Sequence, residues 1–167
     1  MNAFTKGFAA IVAAGLSTSA IAATTSGTAQ VTVVDDITLT AGAALDFGNV
    51  VAGTATGAVT VTAANGITSS GAQHLGGNAA GGWTVNGSVN ANYSIALPTG
   101  SVTLTGVTNN TQTMTVDTFT HSYGSGNGTI GSGNADTFTV GATLRVGAAQ
   151  GVQAYTGTYD VTVDYVI

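Results

Sequence analysis

Cysteine and glutamate are both absent from the 167 residues, and Pro98 is the only proline. A chain without cysteine has no disulfide framework and no thiol chemistry. Strong cations are nearly missing too: Lys6 and Arg145 stand against Asp35, Asp36, Asp46, Asp117, Asp136, Asp160 and Asp164, for a net charge of −5. With nothing to neutralise phosphates, the chain is not a nucleic-acid binder, and it lacks a basic patch for anionic lipid. The scarcity of proline leaves turns to asparagine and to the 25 glycines.

Long apolar runs are missing except at the start. A short n-region carrying Lys6, an apolar run from Phe8 to Leu16 and the Ala20-Ile21-Ala22 site form a secretory signal peptide. We expect residues 1–22 to be removed by cleavage after Ala22 or Ala23, which makes the protein secreted. No later run is long or apolar enough to span a bilayer, so no membrane span is expected after removal of the leader.

What remains is rich in threonine and valine, which favour strands. No segment shows a helical period, and apolar residues alternate instead. The last stretch, residues 155–167, puts Tyr155, Tyr159, Val161, Val163, Tyr165 and Ile167 on one parity and Thr and Asp on the other. Alternation of this kind predicts a single strand with one apolar face. No polar tail follows it, so its neighbour is expected from elsewhere in the chain or from another chain.

At the other end, Val31, Val33, Ile37 and Leu39 share a parity behind a small, polar lead, with Asp35 interrupting. Strand patterns recur at Leu45–Val51, Val59–Ala63, Trp83–Val85, Tyr93–Leu97, Met114–Thr120 and Phe138–Val146. Asn65-Gly66 and Asn86-Gly87 mark turns. Residues 67–75 read as weak and 121–134 as one long hairpin loop. About nine short strands with turns between them predict an all-β fold, an immunoglobulin-like antiparallel β-sandwich. The expected organisation is a signal peptide (1–22), an N-terminal extension (23–40) and a sandwich domain (41–167).

Chemistry is poorly signalled. His74 and His121 are the only histidines, and with no Cys or Glu they read as surface or loop residues rather than metal ligands. No G-x-S-x-G accompanies the serines. Gly131–Asp136 loosely resembles a calcium turn, but binding arrays repeat that turn many times. Asp35, Asp36 and Asp46 read as solvated carboxylates. Phe47, Trp83, Tyr93, Phe119 and Phe138 each sit inside a strand pattern, so core packing is their reading, with a sugar site as the alternative. The chain is therefore expected to be non-enzymatic, with no catalytic residue, cofactor or metal.

Leu45-Asp46-Phe47-Gly48, the run from Phe138 to Leu144, and the run from Gly157 to Tyr165 resemble an uncharacterised family of secreted bacterial β-domains. That family is similar to spore coat protein U and to the archaic chaperone–usher pilins, although many pilin subunits carry a cysteine pair that this chain lacks. The resemblance implies a sandwich short of one strand, completed by a donated N-terminal strand. Val31, Val33, Ile37 and Leu39 would then form the donor, and Tyr159, Val161, Val163 and Tyr165 the strand beside the acceptor groove. The implied partners are further copies of the chain, a periplasmic chaperone and an outer-membrane usher, in a homopolymeric surface fibre serving adhesion or biofilm formation. The alternative is a self-contained secreted sandwich that binds carbohydrate or a host surface, with its N-terminal strand paired in cis.

Overall fold

The computed structural model describes residues 22–166, so the expected leader lies outside them apart from Ala22. The chain divides at Thr32 into two units. Of the first, residues 22–32 are described; all are exposed and none is in a strand. The second unit, from Val33 onward, holds every strand found among the described residues.

Its strands are β1 (Thr38–Ala41), β2 (Asp46–Phe47), β3 (Val50–Val51), β4 (Gly57–Val61), β5 (Ile67–Ser70), β6 (Gln73–His74), β7 (Asn78–Ala79) and β8 (Gly81–Asn86). There follow β9 (Asn92–Ala96), β10 (Val102–Gly106), β11 (Thr113–His121), β12 (Gly128–Thr129), β13 (Ala135–Val146), β14 (Tyr155–Thr156) and β15 (Thr162–Tyr165). No helix occurs among the described residues, and every ladder is antiparallel. The fold is an all-β antiparallel sandwich.

Strand β13 is its spine. Phe138, Val140, Ala142, Leu144 and Val146 alternate inward, and all are buried. Along one edge the spine pairs first with β8, up to Val140 opposite Gly81, and then with β4, from Ala142 opposite Val61. Along the other edge it pairs with β11, which continues to β10 and β14. Gly141 sits at the handover from β8 to β4. A Cβ there would strike the Val61 carbonyl oxygen and the backbone at Thr62 and Ala63. Gly141→Ala is therefore expected to cost about 3 kcal/mol by overpacking. A thermal melt should show Tm falling by roughly 6–12 °C.

The second layer comes in two pieces. Over the β8 half of the spine lies the small sheet β12-β9-β15. Val85, Phe138 and Val140 meet Tyr93, Ile130 and Val163 there in one core cluster. Over the β4 half lie the pairs β2–β7 and β3–β6. Phe47 packs there against Val59, Val61, Val116, Ala142, Leu144 and Val146 in a second cluster.

Two expectations are corrected, and the alternation in β11 is broken. Residues 155–167 do not form one strand. Strand β14 pairs with β10 in the large sheet, β15 pairs with β9 in the small one, and residues 157–161 between them are in no strand. The alternation survives the crossing, since Tyr159, Val161, Val163 and Tyr165 still face inward, but the backbone changes sheets. Residues 121–134 are not one loop, because Gly128 and Thr129 pair with β9 and Ile130 is completely buried. In β11, where Met114, Val116, Thr118 and Thr120 share a parity, a bulge lies between Asp117 and Thr120. Thr118 takes a positive φ of 53° there. The extra residue flips the face, so Phe119 rather than Thr120 turns inward and touches both core clusters.

Candidate functional site

The β4 half of the second layer has a gap. Residues 44–52 pair on their outer side with β6 and β7. Facing them, residues 150–159 pair on their outer side with β10 through β14. Between the two walls runs a groove of about 900 Å³. Leu104, Met114, Val116, Phe119, Leu144 and Val146 floor it, and Asp46 is the only ionisable side chain in its lining besides Tyr155 and Tyr159. The apolar floor thus lies between two walls that each pair along one edge.

The walls are held by bonds among their own residues and to neighbouring turns. Asp46 accepts a bond from the Gly48 amide at 2.8 Å, and Gly48 takes a φ of 67°. A Cβ on Gly48 would strike the Gly76 carbonyl oxygen, so glycine is what permits β2 and β3 to follow one another. On the opposite wall the Tyr155 hydroxyl donates to the Gly151 carbonyl at 2.8 Å and accepts from Gln150 Nε2 at 2.9 Å. Gln153 Oε1 accepts from the Thr108 and Asn109 amides at 3.0 and 2.7 Å, fastening the turn to β10's end.

Tyr159 closes the near end. Its ring lies 5.2 Å from Phe119 and 6.0 Å from Trp83, centroid to centroid. The Trp83 indole N–H donates to its hydroxyl at 3.4 Å. Burial pushes the Tyr159 phenol above its usual range, against the opposing pull of that indole bond. Leu75 and Val152, both largely exposed, also line the groove.

The anticipated site residues fall in different places. Of Tyr159, Val161, Val163 and Tyr165, only Tyr159 lines the groove; the other three pack into the cluster under β9 and β15. Of Val31, Val33, Ile37 and Leu39, the first two are 88% exposed each. Ile37 and Leu39 pack in that same cluster, with Leu39 opposite Val85 in the β1–β8 ladder. The apolar parity thus divides at Asp35. Two of its residues serve this chain's own core and two stay uncovered. The groove floor went unseen in the sequence, because its residues come from three strands whose alternation reads as ordinary core.

Asp35 itself is gripped. Its amide donates to Ser88 Oγ at 2.7 Å, and its carbonyl accepts from the Tyr165 hydroxyl at 2.8 Å. The Ser88 amide donates to the same Tyr165 oxygen at 2.8 Å, closing a ring of three bonds. A Cβ on Gly87 would strike the Tyr165 hydroxyl, so glycine makes room for it.

Elsewhere, Asp136 Oδ2 accepts from the Tyr93 and Tyr123 hydroxyls at 3.0 and 2.7 Å. Burial first, and the carboxylate second, raise both phenols. Arg145 bonds Asp117 through Nε at 2.8 Å and Nη2 at 2.9 Å, which lowers the Asp117 carboxyl below its usual range.

His121 is neither a surface nor a loop residue, since it ends β11. Half-buried, it meets Tyr123 and Phe138 edge-on, and its Nδ1 is buried without a hydrogen-bond partner. Burial lowers its pKa from the ordinary 6.5. The unfolded chain therefore takes up the proton first as pH falls. Its contribution to stability is complete above about pH 6.5 and is lost as pH falls through the lower folded value. Urea midpoints measured from pH 8 to pH 5 should decline in the intact protein and decline less in His121→Phe.

Neither curated proteins nor solved structures give a match to this chain. Residues 37–165 match the family described as Domain of unknown function (DUF4402). The match starts at Ile37, where the chain joins its own core, and it covers well over half of the sequence, so the chain belongs to that family.

Proposed function

We propose that this protein is a structural subunit of a secreted bacterial surface fibre, in which residues 24–34 of one copy fill the groove of the next. The observation that supports this best is the groove itself, with its apolar floor and two walls each presenting an unused edge. A strand laid there gains backbone bonds on either side and buries alternate side chains against the floor. The segment offered is uncharged, exposed throughout and alternating at Ala29, Val31 and Val33. A periplasmic chaperone would cover the groove before assembly, an outer-membrane usher would order the subunits, and adhesion or biofilm formation would be the outcome.

The competing reading, a self-contained module that binds carbohydrate or a host surface, has one observation in its favour. Ile37 and Leu39 are seated in cis. That pairing fills the β8 half of the sandwich and leaves the β4 half open, so it does not do the work of the missing strand. Negative-stain images of the secreted protein, with unheated SDS gels, separate the two. Filaments and a ladder of SDS-resistant multimers support the fibre, whereas monomers at every concentration support the module.

A further inference from the structure

We propose that the ring of bonds around Asp35 is a positioning device. It fixes where the N-terminal segment leaves the body, and so keeps that segment out of its own groove. The proposal rests on the strand-donation reading above. It addresses a difficulty that reading creates. A segment tethered to its own groove competes at an effective concentration of about 1 mM, on the order of 100-fold above a neighbour present at ~10 μM. Without a geometric bar, each subunit would fill itself and no fibre would grow.

The bar is visible in the placement of residues along β8. Asp35 is held at Ser88, just beyond one end of that strand. Leu45, which begins the wall on the groove side, lies against Gly81 at the other end. From Gly81 to Asn86 the strand spans about 17 Å at the rise of a strand, and Ser88 lies two residues beyond it.

Cleavage of the leader after Ala22 or Ala23 would leave twelve or eleven residues, ending at Val34, ahead of the clamp. To enter its own groove the segment must reverse at Asp35 and use about seven of them on the turn and the return. The four or five that remain cannot line the whole of a wall running from Leu45 to Val51. A neighbour's segment carries no such tax. Releasing Asp35 lets Asp35 and Asp36, both exposed, join the lead and shortens the return, which makes self-filling possible.

The absence of native cysteine makes the test clean. Val31→Cys and Thr158→Cys are introduced together, and ¹⁴N- and ¹⁵N-labelled batches of the secreted protein are unfolded, mixed, refolded and oxidised. Mass spectrometry then separates same-chain from mixed-isotope cross-links. In the otherwise intact protein the cross-links should be predominantly between chains. Adding Tyr165→Phe and Ser88→Ala should raise the same-chain fraction at least threefold and shift the population towards monomer. Tyr165→Phe alone keeps the ring packing and should move both in the same direction.

Inserting eight Gly/Ser residues between Val34 and Asp35, in a stretch that is wholly exposed, should also raise the same-chain fraction with the clamp intact. An unchanged same-chain fraction in both the clamp variants and the insertion overturns the proposal, as does a predominance of same-chain links at the outset. Failure of strand donation itself looks different, since the two introduced thiols then form no cross-link with each other, within a chain or between chains.

Discussion

Deleting residues 24–34 is expected to abolish polymer formation while leaving the monomer's Tm within a few degrees of the intact protein's. Every residue in that stretch is exposed and none is in a strand, so nothing packed is lost. Deletion through residue 40 should behave differently. It removes Ile37, Leu39 and most of β1 together with the Asp35 clamp. Two half-buried apolar side chains and a short ladder are worth on the order of 3–6 kcal/mol. Whole domains are stable by only about 5–15 kcal/mol, so the longer deletion should be marginal at 25 °C.

Within the full chain, Val33→Asp should cripple assembly, because a charge cannot enter an apolar groove without neutralising itself. Thr32→Asp, on the opposite parity, should be tolerated. Losing one buried valine costs about 1.5–3 kcal/mol, a factor of roughly 10–100 in association. Light scattering across a concentration series, with a thermal melt of each variant, reads both effects. Polymers from the 24–34 deletion, or equal behaviour of the two aspartates, would sink the strand-donation reading.

The two deletions also show where sequence reasoning stops. The parity shared by Val31, Val33, Ile37 and Leu39 is genuine, and it suggests one strand with one job. What divides it is Asp35, whose backbone, not its carboxylate, is gripped by Ser88 and Tyr165. No pattern of residue types encodes a bond to a backbone carbonyl 130 positions away.

The spine is the opposite case. Phe138, Val140, Ala142, Leu144 and Val146 alternate without interruption and all face inward in the fold, because a central strand with one fully covered face must obey period two. Strand β11 is intermediate. Its first half obeys the parity, and the bulge at Thr118 then inverts the rest. Bulges are set by what the register must reach, here Phe119 between the two clusters, and a β-branched residue at positive φ gives no forewarning. The break between β14 and β15 is similar. Gly157 sits against the Thr103 carbonyl oxygen, where a Cβ would come within 2.5 Å. One glycine among 25 does not announce itself as the place where a strand changes sheets.

If donor and acceptor are separate features of one chain, each can be disabled alone, and the two defective proteins should rescue each other once. The donor is removed by deleting residues 24–34. The acceptor is spoiled by Leu104→Asp. Leu104 is only half-buried and lies opposite Met114 on the groove floor. A carboxylate there can reach water in the free monomer, which should lower stability by about 1–3 kcal/mol without unfolding it. Under an incoming strand the same carboxylate would be desolvated, and docking should fail. Each protein by itself should then run as a monomer.

Mixed in equal amounts, they should give a heterodimer and nothing larger. The groove of the truncated protein receives the segment of the Leu104→Asp protein, and no free donor or competent groove remains to extend the pair. Multi-angle light scattering distinguishes that outcome from higher polymers, and native mass spectrometry confirms one copy of each. No association on mixing would mean that residues 24–34 are not the strand the groove accepts. Polymers in the mixture would mean that the subunits associate through a surface other than the groove. A single closed heterodimer requires a directional, head-to-tail contact, which is the property a fibre subunit needs and a self-contained binding module does not have.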